Sequence, residues 1–232
     1  MRQDHRRGGA VKTQRRFDLR TQIERRCDTK VARGISLLLV ALIAFQFLGV
    51  GVAAATQHTV VKGDSMWGIA VKYQVGLSEL REANPHIANP HLIYPGQVLT
   101  IPTLSATVDA YEREVVRLVN IERTNRGLQP LTYDWQLARV ARYKSQDMKQ
   151  QGYFSHTSPV YGSPFQMMKN FGITYRSAGE NIARGYTTPQ AVVTGWMNSS
   201  GHRANILNAN FTHIGVGYVE GGHYWTQMFI AK

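Results

Sequence analysis

The pattern of apolar and polar positions divides the chain into three parts. Residues 35–55 form a run of about twenty residues without a charge. After this run, about 45 residues show short alternating and helical periods. The remaining residues show longer helical periods first and strand-like alternation near the end. Because an uncharged run of this length can enter a bilayer as a helix, the first part is predicted to be an N-terminal apolar helix.

The apolar run 35–55 is interpreted as a leader. Small residues at Ala53–Ala55 suit a signal peptidase, and cleavage there would leave a protein that starts at Thr56. The alternative is an uncleaved membrane anchor, with the basic segment 1–34 kept in the cytoplasm by the positive-inside rule. Both interpretations place residues 56–232 outside the cytoplasm.

The second part, residues 58–102, is predicted to fold in the order β-α-α-β. A β-prone run at His58–Val61 leads into a turn, and Ser65 can cap a helix whose apolar positions recur at helical spacing. Ser78 is predicted to cap a second helix. The run Val98–Ile101 reads as the second strand, which Pro102 ends.

The third part, residues 108–232, is predicted to carry helices first and strands later, joined to the second part by a short linker at Thr103–Thr107. One helix is predicted to end near Gly127 and a second to begin after Asp134 as N-cap. Two further helices are predicted at Pro164–Phe171 and Thr187–Met197. The later segment is predicted to form paired strands. These strands are 214–219 and 224–230. This order indicates an α+β fold.

The formal net charge of +12 is concentrated at the N-terminus. Residues 1–34 hold eleven Lys and Arg against four acidic residues, so residues 35–232 carry only +5. This distribution argues against a nucleic-acid partner, and a modest positive balance suits an anionic cell wall. The single cysteine, Cys27, precedes the apolar run, so the exported part cannot use disulfides and depends on packing.

The second part resembles the LysM domain over nearly its whole length. The residues that carry the resemblance are His58-Thr59-Val60, Gly63-Asp64-Ser65-Met66-Trp67-Gly68-Ile69-Ala70, Asn84-Pro85, Ile93-Tyr94-Pro95-Gly96-Gln97-Val98-Leu99 and Ile101-Pro102. The resemblance implies binding of glycans that contain N-acetylglucosamine, such as peptidoglycan or chitin. It also implies a shallow groove between two turns. The implied glycan-binding residues are Gly63, Asp64, Ser65, Met66, Trp67, Ile93, Tyr94, Pro95 and Gly96. For Trp67 and Tyr94, packing in the core is the alternative.

The third part resembles the CAP superfamily, also called the SCP-like domain. The matching strings occur in the family's order. They are Leu118–Arg123, Phe154–Thr157, Gly179–Ala183, Trp196–Leu207, Ile214–Tyr218 and Tyr224–Gln227. The resemblance implies a three-layer α-β-α sandwich around a central cleft. The tandem of the two domains resembles bacterial cell-wall and spore-associated proteins.

In many eukaryotic CAP members, two His and two Glu meet in the cleft and can hold a divalent metal. His156 matches the first His and Glu180 the first Glu, whereas Ser199 and Tyr224 occupy the other two positions. His202 belongs to the bacterial form of the motif and is the better candidate to enter the cleft. Half of the family's tetrad is therefore present.

Three hypotheses for His156, Glu180 and His202 stay open. They can bind zinc, with an open position for water. Glu180 and His156 can act as general acid and base. The third hypothesis is a hydrogen-bonded cluster that holds the cleft together. No covalent nucleophile is evident, because the region after the leader has no cysteine and no Gly-x-Ser-x-Gly elbow.

The sequence therefore predicts an exported protein of the cell wall or spore. Its LysM domain would retain it on glycan, and its CAP domain would present a binding cleft to a further ligand or protein partner. The alternative function is a metal-assisted hydrolase acting through that cleft. The predicted location is extracellular or in the cell wall, with a membrane anchor if residues 35–55 are not cleaved.

Overall fold

The computed structural model describes residues 56–232. The predictions for the basic segment 1–34 and for the apolar run 35–55 lie outside the described residues. Within residues 56–232, no helix combines the length and the apolar character needed to cross a membrane.

The described chain contains two mixed α and β parts. In the first, β1 and α1 are followed by α2 and β2, the predicted βααβ order. Their bounds are Thr56–Thr59, Met66–Tyr73, Leu77–Glu82 and Val98–Ile101. In the second, the elements are α3 (Ala106–Thr124), β3 (Thr132–Tyr133), α4 (Trp135–Gln150), α5 (Pro164–Asn170), β4 (Ser177–Arg184), α6 (Pro189–Asn198), α7 (Ser200–Ile206), β5 (His213–Val219) and β6 (Tyr224–Ala231).

The βααβ part is a two-stranded antiparallel sheet covered by two helices. Strand β1 pairs with β2, and Thr56 lies opposite Ile101. The apolar positions of α1 pack with those of α2 and β2 in a small core, which includes Ile69, Leu80 and Leu99. Ser65 caps α1 as predicted, because its hydroxyl accepts a hydrogen bond from the backbone N–H of Gly68.

The prediction that Ser78 caps α2 is wrong. This helix begins at Leu77, its N-cap is Gly76, and Gly76 has no side chain that could accept a capping hydrogen bond. The Ser78 hydroxyl instead donates to Glu79, 2.8 Å away, and accepts a hydrogen bond from Arg139 of the second part. The Ser78 side chain therefore contacts the second part of the chain and does not cap the helix.

The connection between the two parts is shorter than the sequence indicated. Helix α3 begins at Ala106, and the Ser105 hydroxyl caps it by accepting from the backbone N–H of Val108. The predicted linker Thr103–Thr107 therefore includes the first turn of a helix. Only residues 102–105 separate β2 from α3, so the two parts are closely tethered.

The second part is an α-β-α sandwich. Its four-stranded sheet has the order β3-β5-β6-β4, with β3 parallel to β5 and the other pairs antiparallel. Residues of β6 alternate between two cores. Trp225 and Phe229 pack with α3 and α6, whereas Met228 and Ile230 pack with α4 and α5. The helices therefore cover both faces of the sheet.

Close packing of α4 on the sheet depends on two glycines of β5. A Cβ atom at Gly215 would lie 2.3 Å from the backbone nitrogen of Ala138, and one at Gly217 would lie 2.1 Å from that of Arg142. These glycines therefore bring α4 close to the sheet.

The predicted α+β class and the paired strands near the C-terminus are confirmed. Three elements were not foreseen as regular structure, namely strands β3 and β4 and helix α7. Of these, β4 and α7 carry residues of the candidate site.

Candidate functional site

Two turns of the βααβ part lie side by side. The backbone N–H of Val60 donates to the carbonyl of Gln97 at 2.8 Å, and the N–H of Gly96 donates to the carbonyl of Val60 at 2.9 Å. These bonds join the chain that leads into the turn at Gly63 to the turn at Gly96. Both glycines have φ above +90°, a conformation that other residues rarely adopt. The two backbone hydrogen bonds hold the turns together, and the groove that the resemblance implies between them stays a prediction.

The two aromatic side chains beside these turns face solvent. Trp67 is 54% exposed and Tyr94 is 56% exposed, although both belong to types that are usually covered. Pro95 and Gly96 are exposed as well. The alternative that Trp67 and Tyr94 pack in the core is therefore not supported.

Three other predicted glycan-binding residues have structural contacts. The Met66 side chain is buried in the core, and Ile93 packs partly against it. The Asp64 carboxylate accepts from the backbone N–H of Val61 at 3.0 Å and from Nε2 of His58 at 2.7 Å. These two contacts keep the pKa of Asp64 below its usual value. Fewer side chains are therefore free to contact a ligand than the nine predicted residues.

In the second part, His156 and Glu180 form a hydrogen-bonded pair. Nδ1 of His156 lies 2.7 Å from Oε1 of Glu180. The imidazole is 54% exposed, whereas the carboxylate side chain is 1% exposed. Burial raises the pKa of Glu180, and the hydrogen bond to Glu180 raises the pKa of His156. Oε2 of Glu180 is buried without a hydrogen-bond partner among the described residues.

A buried lysine supports the loop that carries His156. Lys144, on α4, is fully buried and donates to the backbone carbonyl of His156 at 2.8 Å and to the Tyr153 hydroxyl at 3.0 Å. Tyr153 donates in turn to Asp147, which also accepts from the Ser158 hydroxyl at 2.7 Å. This group of Lys144, Asp147, Tyr153 and Ser158 is called the lysine network below. Burial lowers the pKa of Lys144.

A second group of side chains joins β4 to α7 below the pair. The Asn181 amide donates to the carbonyl of His202 at 3.1 Å and to the Gln227 side chain at 3.0 Å. The Asn205 amide donates to Asn181 at 2.8 Å. Asn181 and Asn205 therefore have a structural role, because their side chains link strand β4 to helix α7. His202 is partly exposed, and burial and the nearby His156 lower its pKa.

These residues do not fit a metal ion. Ser199 and Tyr224 stand where the family places two further ligands, and neither residue type is a usual zinc ligand. In residues 56–232, no three His, Cys, Asp or Glu side chains are grouped closely enough to hold one. The structure brings His156 and Glu180 together but gives the zinc hypothesis no third ligand.

Sequence reasoning missed the lysine network as part of the site. Lys144 lies at a position of α4 that the helical spacing assigns to the buried face, where a charged residue is unusual. That position is the signal in the sequence. Asp147 and Ser158 gave no comparable signal, because their partners lie on a loop whose path the sequence does not fix.

The βααβ unit and the three-layer sandwich with its polar cleft define a two-domain α+β protein. A family model described as the LysM domain matches residues 58–102, and one described as CAP, cysteine-rich secretory protein family, matches residues 116–230. The chain therefore contains a LysM domain followed by a domain of the CAP family.

Similarity to known proteins follows the same division. The chain is 62% identical over 133 residues to the uncharacterized protein YkwD of Bacillus subtilis, covering 57% of this chain and 52% of that protein. It resembles the crystal structure of an extracellular protein containing a SCP domain from Bacillus anthracis, with 36% identity and a TM-score of 0.53. That match covers 60% of this chain and 47% of the other.

The LysM part has relatives of its own. It is 44% identical over 48 residues to N-acetylmuramoyl-L-alanine amidase sle1 of Staphylococcus epidermidis, covering 21% of this chain and 14% of the amidase. The chain therefore spans about half the length of its CAP relatives and a small part of the amidase.

Proposed function

We propose that this protein is an exported component of the bacterial cell wall or spore surface, retained there by its LysM domain. The CAP domain presents its cleft to a further ligand or partner. The ligand of the LysM domain is a glycan that contains N-acetylglucosamine, such as peptidoglycan. The names of an extracellular SCP-domain protein and of an N-acetylmuramoyl-L-alanine amidase among the relatives support this location and this class of ligand.

The observation that carries the proposal is the exposed aromatic pair beside two joined turns. Trp67 and Tyr94 are more than half exposed, and the Gly63 and Gly96 turns present backbone groups next to them. Aromatic rings can pack on the apolar faces of sugar rings, while turn backbone groups can hydrogen-bond acetamido groups. Such a surface suits an acetylated glycan.

Sedimentation with purified peptidoglycan tests the proposal. The double variant Trp67→Ala and Tyr94→Ala is compared with the unchanged protein and with Phe165→Ala, which removes an exposed ring of the CAP domain. We expect the double variant to lose about tenfold or more in affinity, because aromatic residues are frequent hot spots of binding. Phe165→Ala should sediment like the unchanged protein. Equal sedimentation of all three would contradict retention by LysM.

The export and the membrane anchor are separate parts of the proposal. The predicted leader ends at Ala55, so cleavage gives a mature chain that starts at Thr56. N-terminal sequencing of protein recovered from the wall fraction distinguishes the two forms. A start at Thr56 supports a cleaved leader, and an intact N-terminus in the membrane fraction supports an anchor.

A second candidate function is acid–base catalysis in the CAP cleft. It is favoured by one observation, the exposed imidazole of His156 held by the buried carboxylate of Glu180. A buried acid that orients an accessible imidazole is an arrangement suited to proton transfer. Incubation with peptidoglycan and with peptide libraries tests it. Turnover that is lost in His156→Ala would support catalysis, and no turnover by the unchanged protein would leave the cleft as a binding surface.

A further inference from the structure

Arg139 of the CAP domain forms an ion pair with Glu79 of the LysM domain. Nε and Nη2 of Arg139 donate to the two carboxylate oxygens of Glu79 at 2.6 and 2.8 Å, and Nη2 also donates to the Ser78 hydroxyl at 2.7 Å. The two charged side chains are only 19% and 27% exposed. A paired, partly buried arginine fixes both distance and orientation. The two domains therefore meet in a defined geometry.

The surroundings of Arg139 strengthen this contact. Its guanidinium lies 5.2 Å from the ring centres of Tyr143 and Phe171. A Cβ atom at Gly76 would lie 2.1 Å from Nε of Arg139, so the glycine makes room for the guanidinium. Burial opposes the charge of Glu79, but the hydrogen bond from Arg139 lowers the pKa of Glu79 overall.

Beside this contact lies a cleft that residues of both domains line. Its volume is about 180 Å³. Trp67 contributes from the LysM domain, and Trp135 and Phe171 contribute from the CAP domain. Ser78, Gln136 and Arg139 add hydroxyl, amide and guanidinium groups to its wall. Aromatic faces beside hydroxyl, amide and guanidinium groups can contact both the apolar faces and the polar edges of a ligand.

We propose that this interdomain cleft is a sugar subsite, which takes the next ring of the glycan chain that the LysM domain binds. The inference rests on the proposed function. Trp67 connects the two sites, because it lies beside the LysM turns and also lines the cleft. A glycan that stacks on Trp67 is thereby led towards Trp135 and Phe171.

The size and chemistry of the cleft select the occupant. Pockets for drug-sized ligands have volumes of roughly 300–1,000 Å³, so a cleft of about 180 Å³ accommodates a single ring rather than a larger molecule. A pyranose ring offers apolar faces to aromatic side chains and hydroxyl edges to amide and guanidinium groups. The CAP domain then reads part of the same glycan, and binding depends on chain length.

Titration with a trimer and a hexamer of β-1,4-linked N-acetylglucosamine tests this subsite in the full chain. The unchanged protein should bind the hexamer about tenfold more tightly than the trimer. Trp135→Ala should remove this gain while leaving trimer affinity unchanged, because Trp135 lies on the CAP side of the cleft. Trp135→Phe should retain most of the gain, and Phe165→Ala, an exposed ring outside the cleft, should retain all of it.

Tryptophan fluorescence gives a second measurement, which reports the surroundings of Trp135 in the complex rather than the affinity. Of the four tryptophans, Trp196 and Trp225 are buried. In a Trp67→Phe variant, hexamer binding should therefore shift the emission of Trp135, and the trimer should not.

The outcomes separate the two proposals. If Trp135→Ala keeps the hexamer gain and the Trp135 emission stays constant, the subsite is overturned while glycan retention stands. If neither oligomer nor peptidoglycan binds the unchanged protein, the proposed function fails and the subsite fails with it.

Discussion

The LysM turns and the CAP cleft place their notable side chains in opposite ways. Trp67 and Tyr94 are more than half exposed, whereas Lys144, Asp147 and Glu180 are buried and hydrogen-bond to residues of the loop 153–158. An exposed aromatic side chain contributes little to stability and is available to a ligand. A buried polar network contributes to stability wherever its groups are satisfied, and it positions the few atoms that do reach solvent. The comparison therefore predicts that substitutions of the exposed LysM side chains lower binding and leave stability unchanged. Substitutions in the buried network of the CAP domain should instead lower stability.

The largest effect is expected from Asp147→Ala in the lysine network. The change leaves the hydroxyls of Tyr153 and Ser158 without their charged acceptor, and each such bond is worth about 1.5–3 kcal/mol. We expect the free energy of unfolding of the CAP domain to fall by about 3–5 kcal/mol. Denaturant unfolding followed by circular dichroism measures this loss.

Asp109→Ala provides the matched control for this measurement. Asp109 pairs with Arg113 on the surface of α3, where both side chains are about half exposed. This variant should stay within about 0.5 kcal/mol of the unchanged protein. A similar stability for both variants would mean that the lysine network contributes no more to the free energy of unfolding than a surface ion pair does.

The next effect concerns the boundary between the two regions. Arg139→Ala removes three hydrogen bonds and the contact with Tyr143 and Phe171, so the domains should lose their defined contact. Because the pair is partly exposed, we expect a loss of about 1–2 kcal/mol. Calorimetry should then show two separated transitions in place of a coupled one. Arg117→Ala, which breaks an exposed pair within α3, should leave the transitions unchanged.

The two regions also differ in how far the sequence predicts them. The LysM elements follow from local signals, because the domain is short and its turns and strand ends carry Gly63, Gly96 and Pro102. Its residue roles followed less well. Met66 lies between two residues of the predicted binding surface but points into the core, since its helical position places it beside Ile69 and Ala70.

The CAP cleft depends on contacts that no local pattern contains. Strand β4 includes Gly179, Glu180 and Asn181, three residue types that are uncommon in strands, and its pairing with β6 overrides their propensity. The sequence did predict His156 and Glu180 as neighbours, through the family motif. It could not predict that the loop at Tyr153 and Ser158 folds onto Asp147, because that contact is set by tertiary packing.

A smaller effect on stability is expected from Tyr94→Ala in the LysM turn. The ring is mostly in solvent, and the turn is held by the Tyr94 backbone N–H, which donates to the Gln97 side chain at 2.7 Å. Since alanine keeps that N–H, the free energy of unfolding should change by less than about 0.5 kcal/mol. Thermal unfolding measures stability, and sedimentation measures the expected loss of peptidoglycan binding. A large destabilisation would remove the distinction between an exposed binding side chain and a structural one.

The most local effect is expected from Glu180→Gln in the CAP cleft, where the measured quantity is the pKa of one side chain. The hydrogen bond to Glu180 raises the pKa of His156, so the neutral amide should lower that pKa towards or below its usual value. Titration of the His156 ring signals by NMR measures the change. The ring signals of His202 provide the control, because burial is the main cause of the lowered pKa of that histidine.

The pH dependence of stability follows from the direction of both shifts. A raised pKa means that the folded state holds its proton more tightly, so the associated stability is present at low pH and is lost as pH rises. For Glu180 the window begins near its ordinary value of 4.5, and for His156 it begins near 6.5. Glu180→Gln should therefore flatten the fall in stability above pH 4.5. An unchanged pKa of His156 in this variant would show that the buried carboxylate does not affect the exposed imidazole. His156 would then behave as an isolated exposed side chain, like Trp67 and Tyr94 on the LysM surface.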